Sequence, residues 1–398
     1  MDYAVTMLIA LFVAFISTPL IKKLAFRLGA VSVPKDERRM HSKPIALLGG
    51  AAIIIGFLVA LFYNMAVGYI APDRSVAGLL IGIAILLACG YADDRYTLPW
   101  KIKALFQLAA AVSYVVISDL QIDFLTNPFV SDEVILFSPY IAWPLTILWI
   151  VGLTNAINFI DGLDGLAAGV SSISALSLLF VSIWSHNAQE NPAAALMMAA
   201  IAGAALGFLP FNFSPAKIFM GETGAAFLGF TLSVVSIQGM LKSYAMISIA
   251  IPVLIIGLPI FDVAFAIIRR VTSGSSPARA DFSHLHHKLI NMGLSQRQSV
   301  LLLYITSAVL GVCGFVFANK NFFSAVILLV LLPVFVFACA NYFIEGKSSR
   351  QSGDAESDDK KKQAETDEGR DGAAQAVQTI QITQTVQTIK DKVDGRKA

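Results

Sequence analysis

A polar stretch, NAINFIDGLDGL, interrupts the apolar sequence at residues 155–166 and spaces two amides and two carboxylates three apart: Asn155, Asn158, Asp161 and Asp164. Residues three apart on a helix are neighbours, but each such step drifts by about 60° around a continuous helix. Asn155 and Asp164 would then lie on opposite sides, so we predict that the helix bends or ends here. Gly162 and Gly165 supply the break, because glycine adopts conformations closed to other residues. The stretch would form a turn that carries amide and carboxylate ligands; the alternative is a set of ordinary capping and turn residues.

Two adjacent carboxylates, Asp93 and Asp94, occur in DDRYTLPWKIK at the end of another apolar run. Carboxylates this close repel each other unless a proton or a cation lies between them. Arg95, Lys101 and Lys103 could supply that charge, or a metal ion could. Mg²⁺ is the natural candidate, because one or two carboxylates together with substrate phosphates usually hold it. The alternative is a solvated acidic pair at the end of a helix.

A further carboxylate, Glu222, lies in KIFMGETG between Gly221 and Gly224. A Gly-x-x-Gly turn at the start of a helix exposes backbone N–H groups to an anion. Phe219 in the same stretch either packs in the core or presents a flat face to a nucleobase.

Three histidines, His284, His286 and His287, lie close together in ADFSHLHHKL. A closed zinc site needs four ligands, and no cysteine lies near these histidines. Arg279 and Lys288 flank them, which favours an anion-binding loop over a zinc site.

These clusters belong to a chain of 398 residues that is 56% hydrophobic and 14% charged, with a mean hydropathy of +0.71. In soluble domains about a quarter of the residues are charged, so the composition indicates an integral membrane protein. Its apolar runs approach the ~20 residues of a bilayer-spanning helix, and helices satisfy their own backbone groups in lipid. We therefore predict an all-α polytopic protein with eleven spans, at residues 3–21, 45–70, 75–92, 102–118, 138–157, 166–185, 193–211, 224–241, 244–268, 299–318 and 322–344.

The distribution of lysine and arginine predicts the orientation of these spans. If the N-terminus is outside, the inner loops hold 16 of these residues and the outer loops hold 3, leaving aside those beyond Gly346. Such a bias predicts an outside N-terminus and a cytoplasmic C-terminus. All the polar clusters then fall on the cytoplasmic side, whereas a transporter would be expected to place polar groups near the midplane.

The end of the chain has a different composition. Residues 345–398 carry mixed charges and lack aromatic residues, which is typical of a disordered segment. We predict a disordered cytoplasmic tail there and a transmembrane domain at residues 1–344.

The motifs GYADDRYTLPWKIK, NAINFIDGLDGLAAG, KIFMGETG and ADFSHLHHKLINMGLSQRQ, in this order, resemble those of the polyprenyl-phosphate N-acetylhexosamine-1-phosphate transferases. Each motif alone is weak, but four in order with this topology are specific, and the resemblance covers residues 1–344. The stretch SHLHHKLINMGLSQRQ is similar to the branch that uses UDP-N-acetylglucosamine. The muramoyl-pentapeptide branch carries a more histidine-rich loop.

This resemblance implies transfer of GlcNAc-1-phosphate from UDP-GlcNAc to undecaprenyl phosphate, giving undecaprenyl-pyrophosphoryl-GlcNAc and UMP. The reaction would take place at the cytoplasmic face of a bacterial plasma membrane, as the first lipid-linked step of a teichoic-acid or O-antigen type polymer. The resemblance also implies Mg²⁺, with Mn²⁺ as an alternative, and no nucleic-acid partner; a homodimer is one expected arrangement. The alternatives are phospho-MurNAc-pentapeptide transfer, a polytopic transporter and a non-enzymatic scaffold.

The resemblance implies roles for individual residues as well. Asn158 and Glu222 match the metal ligands. The implied catalytic positions are Asp93, Asp94, Asp161, Asp164 and His284, and the implied substrate-binding positions are Lys103, Asn155, Phe219, Arg279, His286 and His287. Asp93 matches the proposed base of the family, but a phosphate monoester has a second pKa of about 6. The acceptor is therefore mostly dianionic at neutral pH, and we expect Asp93 mainly to orient it.

Glu222 departs from the family pattern, which has aspartate at this position. The longer side chain keeps the charge but adds a methylene, and Mg²⁺ demands near-ideal geometry. Either the backbone retracts to compensate, or affinity or activity falls; we expect an active enzyme.

Overall fold

The structure, a computed structural model, describes residues 2–32, 44–126, 134–184, 192–241, 250–272, 284–319 and 324–333, together with positions 336 and 383. The chain divides into two units, Met1–Ala340 and Asn341–Ala398. Thr383 alone of the second unit is described. The predicted disordered tail lies outside the described residues and stays a prediction.

Within those ranges the protein is helical, with two short antiparallel strand pairs. The strands are β1 (Val31–Ser32) with β2 (Ile45–Ala46), and β3 (Phe124–Thr126) with β4 (Val134–Leu136). The helices are α1 (Tyr3–Leu28), α2 (Gly49–Ala66), α3 (Arg74–Tyr96), α4 (Trp100–Ser118), α5 (Pro139–Ile160), α6 (Leu166–Trp184), α7 (Pro192–Asn212), α8 (Gly221–Leu241), α9 (Ala250–Ile255), α10 (Gly257–Thr272), α11 (Leu285–Asn291), α12 (Gln296–Ala318) and α13 (Ser324–Pro333).

Eight of the described helices, α1 to α7 and α12, are long and apolar enough to cross a bilayer. The protein is therefore a multi-pass membrane protein, as the composition predicted. The predicted span at 244–268 is interrupted in its described part, because α9 ends at Ile255 and α10 begins at Gly257. Pro259 explains the interruption, since proline has no N–H to continue the helical hydrogen bonds into the preceding turn.

Helix α8 forms the centre of the bundle. Every described side chain from Thr223 to Gln238 is buried, and α2, α3, α5, α6 and α7 all pack against this helix. A helix that is apolar on all sides is expected in the interior of a membrane bundle rather than at its surface.

Small residues allow the helices to approach closely. A Cβ added at Gly203 would lie 2.1 Å from the carbonyl oxygen of Met7, and one added at Gly207 would lie 2.2 Å from that of Leu11. These glycines, four apart on α7, bring its backbone against α1, as small residues do at helix interfaces in membranes. The two helices are thereby closely packed against each other.

Candidate active site

A cavity of about 1110 Å³ lies where α3 and α5 end and α8 begins. Its volume is slightly above the range for ligand pockets, about 300–1,000 Å³. Eight of the residues predicted for the site line it: Asp93, Asp94, Asn158, Asp161, Asp164, Phe219, Glu222 and His287. The structure therefore brings three of the four sequence motifs, and one histidine of the fourth, to one place.

The predicted break in the NAINFIDGLDGL helix is confirmed. Helix α5 ends at Ile160 and α6 begins at Leu166, while Gly165 between them has a left-handed φ of +82°. The turn is held from both sides, because the N–H of Gly165 donates to Oδ1 of Asn212 at 3.1 Å and its carbonyl accepts from the hydroxyl of Tyr304 at 2.6 Å.

Gly162 serves a different purpose from the one that the sequence predicted. Its φ is not left-handed, so the turn does not require glycine there for its backbone. A Cβ at this position would instead lie 2.4 Å from Nε2 of His286. Gly162 therefore provides the space in which the imidazole of His286 packs against the turn.

The carboxylate of Asp164 hydrogen-bonds to the backbone. Its Oδ2 accepts from the N–H of Ala216 at 3.0 Å, in the segment between α7 and α8. Asn212 supports the same segment, since its Nδ2 donates to the carbonyl of Ile218 at 3.0 Å. Asp164 and Asn212 thus fix the loop that carries Phe219 to the cavity.

Asp94 caps the N-terminus of α8. Its Oδ1 accepts from the N–H of Glu222 at 2.8 Å, and its Oδ2 accepts from the N–H and the hydroxyl of Thr223 at 3.3 and 2.7 Å. The anion that the Gly-x-x-Gly turn predicts at this helix start is thus the protein's own carboxylate. Gly221 makes this possible, because a Cβ there would lie 2.6 Å from Oδ2 of Asp94.

Asp93 and Glu222 share one cation. Nζ of Lys103 lies 3.0 Å from Oε2 of Glu222 and 3.5 Å from Oδ2 of Asp93. Asp93 also accepts from the N–H of Leu98 at 2.7 Å. The repulsion expected between the carboxylates of this region is therefore relieved in part by a lysine, which lies behind the lining of the cavity.

Asn158 and Asp161 place polar groups in the cavity lining that are available to bind a ligand. Neither side chain hydrogen-bonds to another of the described residues, and both are half-buried. Burial, together with the negative charges of Asp94, Glu222 and Asp164, raises the pKa of Asp161 to about 7. A carboxyl whose ionised form is this disfavoured is stabilised by a bound cation.

The oxygens in the cavity fit Mg²⁺ better than they fit a metal held by protein alone. In the part of the chain that the structure describes, no three His, Cys, Asp or Glu side chains are grouped closely enough to ligate one ion. Asn158 and Asp161 nevertheless offer free oxygens beside Glu222. Mg²⁺ usually keeps several waters and takes the rest of its ligands from substrate phosphates, which suits this donor set.

The histidine rings contact one another in a row, of which His287 alone lines the cavity. The rings of His284 and His286 are stacked, whereas that of His287 is tilted by 42° to that of His286. Ring centroids are 5.9 Å apart between His284 and His286, with planes 3° apart, and 4.2 Å apart between His286 and His287. His284 also contacts Asp262, with Nδ1 3.0 Å from Oδ2. Burial, followed by the neighbouring His287, lowers the pKa of His286 to about 4, so this ring is neutral at physiological pH.

The remaining predicted residues lie elsewhere. Asn155 donates to Oε1 of Gln107 at 2.7 Å and to the carbonyl of Val151 at 2.8 Å, so it joins α5 to α4 outside the cavity lining. Lys103, His284 and His286 lie behind the lining, as described above. Arg279 lies outside the described residues.

Sequence reasoning missed several residues that build the site. Lys22 and Lys217 bring positive charge to the lining, and Asn212 and Tyr304 hold the turn. Lys217 could have been found from the sequence, since it begins the KIFMGETG motif, two residues before Phe219. Asn212 and Tyr304 stand in or beside apolar runs, and no local pattern singles them out.

The chain is similar in sequence to known proteins. The profile of glycosyl transferase family 4 matches residues 76–240. A probable undecaprenyl-phosphate N-acetylglucosaminyl 1-phosphate transferase of Bacillus subtilis (strain 168) is 39% identical over 332 residues, 83% of this chain and 89% of that protein. A decaprenyl-phosphate N-acetylglucosaminephosphotransferase of Mycobacterium tuberculosis is 32% identical over 81% of this chain and 83% of its own. An undecaprenyl-phosphate alpha-N-acetylglucosaminyl 1-phosphate transferase of Salmonella typhimurium is 29% identical over 78% and 83%.

Proposed function

The chain belongs to glycosyl transferase family 4, and from that premise we propose that it transfers N-acetylglucosamine 1-phosphate from UDP-GlcNAc to undecaprenyl phosphate. The products are undecaprenyl-pyrophosphoryl-GlcNAc and UMP, and the step begins the assembly of a cell-wall polymer on a lipid. The observation that carries the proposal is the similarity, over more than four fifths of the chain, to the Bacillus subtilis protein whose name states this activity. The carboxylate-lined cavity at the helix ends supports it.

The reaction needs a site that both a lipid and a soluble nucleotide can reach. We place the cavity at the cytoplasmic face of the bacterial plasma membrane, in a protein with eleven spans and an outside N-terminus. The 16 to 3 distribution of basic residues supports this orientation, because basic residues are enriched in cytoplasmic loops. Lys22 and Lys217 in the cavity lining suit phosphate groups on that side.

Mg²⁺ would be held by Asn158, Asp161 and Glu222, with water and substrate phosphates completing its ligands. When bound, it offsets the charge of the reacting phosphates, which is the chief catalytic requirement of phosphoryl transfer. Two neighbouring carboxylates are held by the protein itself, since Asp94 caps α8 and Asp164 fixes the neighbouring loop. The protein's contribution is therefore mostly positioning and electrostatics.

The acceptor phosphate needs little help to become a nucleophile, because its second pKa of about 6 leaves it mostly dianionic at neutral pH. We assign Asp93 the role of orienting this phosphate, with Lys103 holding the carboxylate of Asp93 together with that of Glu222. Lys22 and Lys217 are assigned to the phosphates and Phe219 to the uracil of the donor.

The decisive experiment measures UMP release by the purified protein in nanodiscs, with UDP-GlcNAc, undecaprenyl phosphate and Mg²⁺. We expect UMP only when all three are present, and no competition by UDP-MurNAc-pentapeptide. Asp161→Asn should abolish release, while Asp73→Asn, which alters a helix cap at the start of α3, should not. Competition by the pentapeptide donor would favour the muramoyl branch, and UDP-GlcNAc counterflow without UMP would favour a transporter. Light scattering of the same particles tests the predicted homodimer.

A further inference from the structure

Asp262 is a buried carboxylate to which the proposed reaction assigns no role. It lies on α10, and its side chain is only 8% exposed. Its Oδ2 lies 3.0 Å from Nδ1 of His284, and its Oδ1 accepts from the backbone N–H of Leu285 at 2.9 Å. A buried carboxylate is costly unless it is paired and hydrogen-bonded, and both oxygens of Asp262 contact one two-residue stretch. The side chain thus fixes the start of the histidine segment to α10.

From this anchor a row of contacting rings leads to the cavity. The ring of His284 lies between that of Phe159, with centroids 5.6 Å apart and planes 19° apart, and that of His286 at 5.9 Å and 3°. His286 contacts His287 at 4.2 Å. His286 is 2% exposed and has Gly162 on its other side. The rings of His284 and His286 are therefore buried, while Phe159 at one end of the row is exposed and His287 at the other end lines the cavity.

We infer that Asp262 is a positioning residue, which places His287 at the cavity through the stacked rings of His284 and His286. The inference rests on the proposed function, because His287 is positioned for that reaction. The hydrogen-bond partners of Asp262 among the described residues, His284 and Leu285, do not line the cavity, so its effect on the cavity is expected to pass through the row.

The chemistry of the contact explains why a carboxylate is suited to this position. An ionised carboxylate only accepts hydrogen bonds, so Nδ1 of His284 must carry the hydrogen and the tautomer is fixed. With its tautomer and ring plane fixed, His284 offers the ring of His286 a single arrangement in which to stack. An asparagine would keep the size but could present its N–H₂ group to His284, which would select the other tautomer.

The first test detects the contact between Asp262 and His284 directly and needs no activity assay. The chain has five histidines, few enough for ¹⁵N-histidine NMR of the protein in nanodiscs, with His284→Gln to assign its signal. We expect His284 to carry its hydrogen on Nδ1 in the wild type and to lose that form in Asp262→Asn. A wild-type His284 with its hydrogen on Nε2 would overturn the inference even if the variant fails to fold.

The second test separates positioning from a general structural role. Asp262→Asn should lower kcat/KM for UDP-GlcNAc by about 10- to 100-fold, the usual effect of losing a supporting hydrogen bond, with KM for undecaprenyl phosphate within about twofold of the wild type. In a His287→Ala background Asp262→Asn should cause no further loss of kcat/KM, because the imidazole that the row positions is then absent. Asp73→Asn serves as the matched control.

The outcomes distinguish the two proposals. Equal losses from Asp262→Asn in both backgrounds, or full activity of Asp262→Asn, would overturn the inference and leave the proposed function standing. Absence of UMP release from the wild type would overturn the proposed function, and with it the role of Asp262 in that reaction, while the tautomer of His284 would still report whether the contact exists.

Discussion

The ammonium of Lys103 on α4 lies 3.0 Å from a carboxylate oxygen of Glu222 at the start of α8. The side chains are 26% and 10% exposed, so the pair is shielded from water and stronger than a surface ion pair. Because Glu222 is also a proposed Mg²⁺ ligand, the lysine and the metal act on the same carboxylate. Glu222 has one methylene more than the aspartate of the family pattern. Its longer side chain contacts a cation of the protein itself, the ammonium of Lys103.

Replacing Lys103 by methionine should separate metal affinity from turnover. Loss of one positive charge beside the carboxylates should tighten Mg²⁺ binding by about fivefold to tenfold, equivalent to roughly 1 kcal/mol at a partly exposed site. Turnover should fall, because Asp93 loses the group that orients it. A Mg²⁺ titration of UMP release measures both quantities. Lys101→Met is the matched control, since that ammonium lies over the ring of Trp100; weaker Mg²⁺ binding by Lys103→Met would contradict the prediction.

Substitutions of Glu222 test its part in metal binding. Glu222→Asp keeps the charge and should retain activity within about tenfold, whereas Glu222→Ala should raise the Mg²⁺ requirement and lower activity by about 10- to 100-fold or more. The measurement is UMP release over a range of Mg²⁺ and Mn²⁺ concentrations. If Glu222→Asp slowed the enzyme while Glu222→Ala left it unchanged, Glu222 would have no role as a ligand.

Asp94 should matter for stability as well as for activity. Removing its carboxylate in Asp94→Ala leaves the N–H groups of Glu222 and Thr223 without their acceptor, which costs about 1–3 kcal/mol. Asp94→Asn keeps an oxygen for the cap and should cost less, about 1 kcal/mol or below. Thermal unfolding of the metal-free protein in detergent measures the difference. Equal unfolding midpoints for Asp94→Ala and the wild type would show that the cap contributes nothing.

The raised pKa of Asp161 predicts how stability depends on pH. The folded protein keeps this proton up to about pH 7, whereas the unfolded chain releases it near the ordinary value of 3.8. Between these values the folded state binds more protons, so the contribution of Asp161 to stability is largest below about pH 4 and is lost as the pH rises to 7. The unfolding midpoint of the metal-free protein should therefore fall over this range, and less so for Asp161→Asn. Mg²⁺ should bind more tightly as the pH rises and should release a proton on binding.

The space beside Gly162 gives a steric test of the histidine row. A Cβ in Gly162→Ala would lie 2.4 Å from Nε2 of His286, so the ring must move and we expect a loss of activity of about tenfold or more, since small misplacements at a site are costly. Gly152→Ala on α5 is the control, because nothing lies within 4 Å of a Cβ there. If both variants turned over at the wild-type rate, the row would not need its present position.

The parts of the site that follow from local spacing could be predicted from the sequence. The drift of polar residues three apart required α5 to end near Asp161, and Gly165 adopts the left-handed conformation that the break needs. The long apolar runs likewise required membrane helices, and their polar ends met at one cavity. The break and the membrane helices each depend on residues within one continuous stretch of the chain.

The partners of those residues could not be predicted, because they come from distant parts of the chain. Asp94 caps the N–H of Glu222, 128 residues later in the sequence, and Tyr304 reaches the turn at Gly165 from 139 residues away. A carboxylate after an apolar run looks the same whether it faces water, a metal or a helix N-terminus. The packing of α3 against α8, and of α12 against α6, decides between these, and it depends on side-chain shapes spread over several helices.

Asn212 joins two separate pieces of the cavity wall with a single amide. Its oxygen holds the turn between α5 and α6, and its nitrogen holds the segment between α7 and α8. These two pieces must consequently move together, as one rigid body. A ligand that contacts this wall meets a surface whose backbone is already ordered, so binding there loses less conformational entropy than it would against two independent loops.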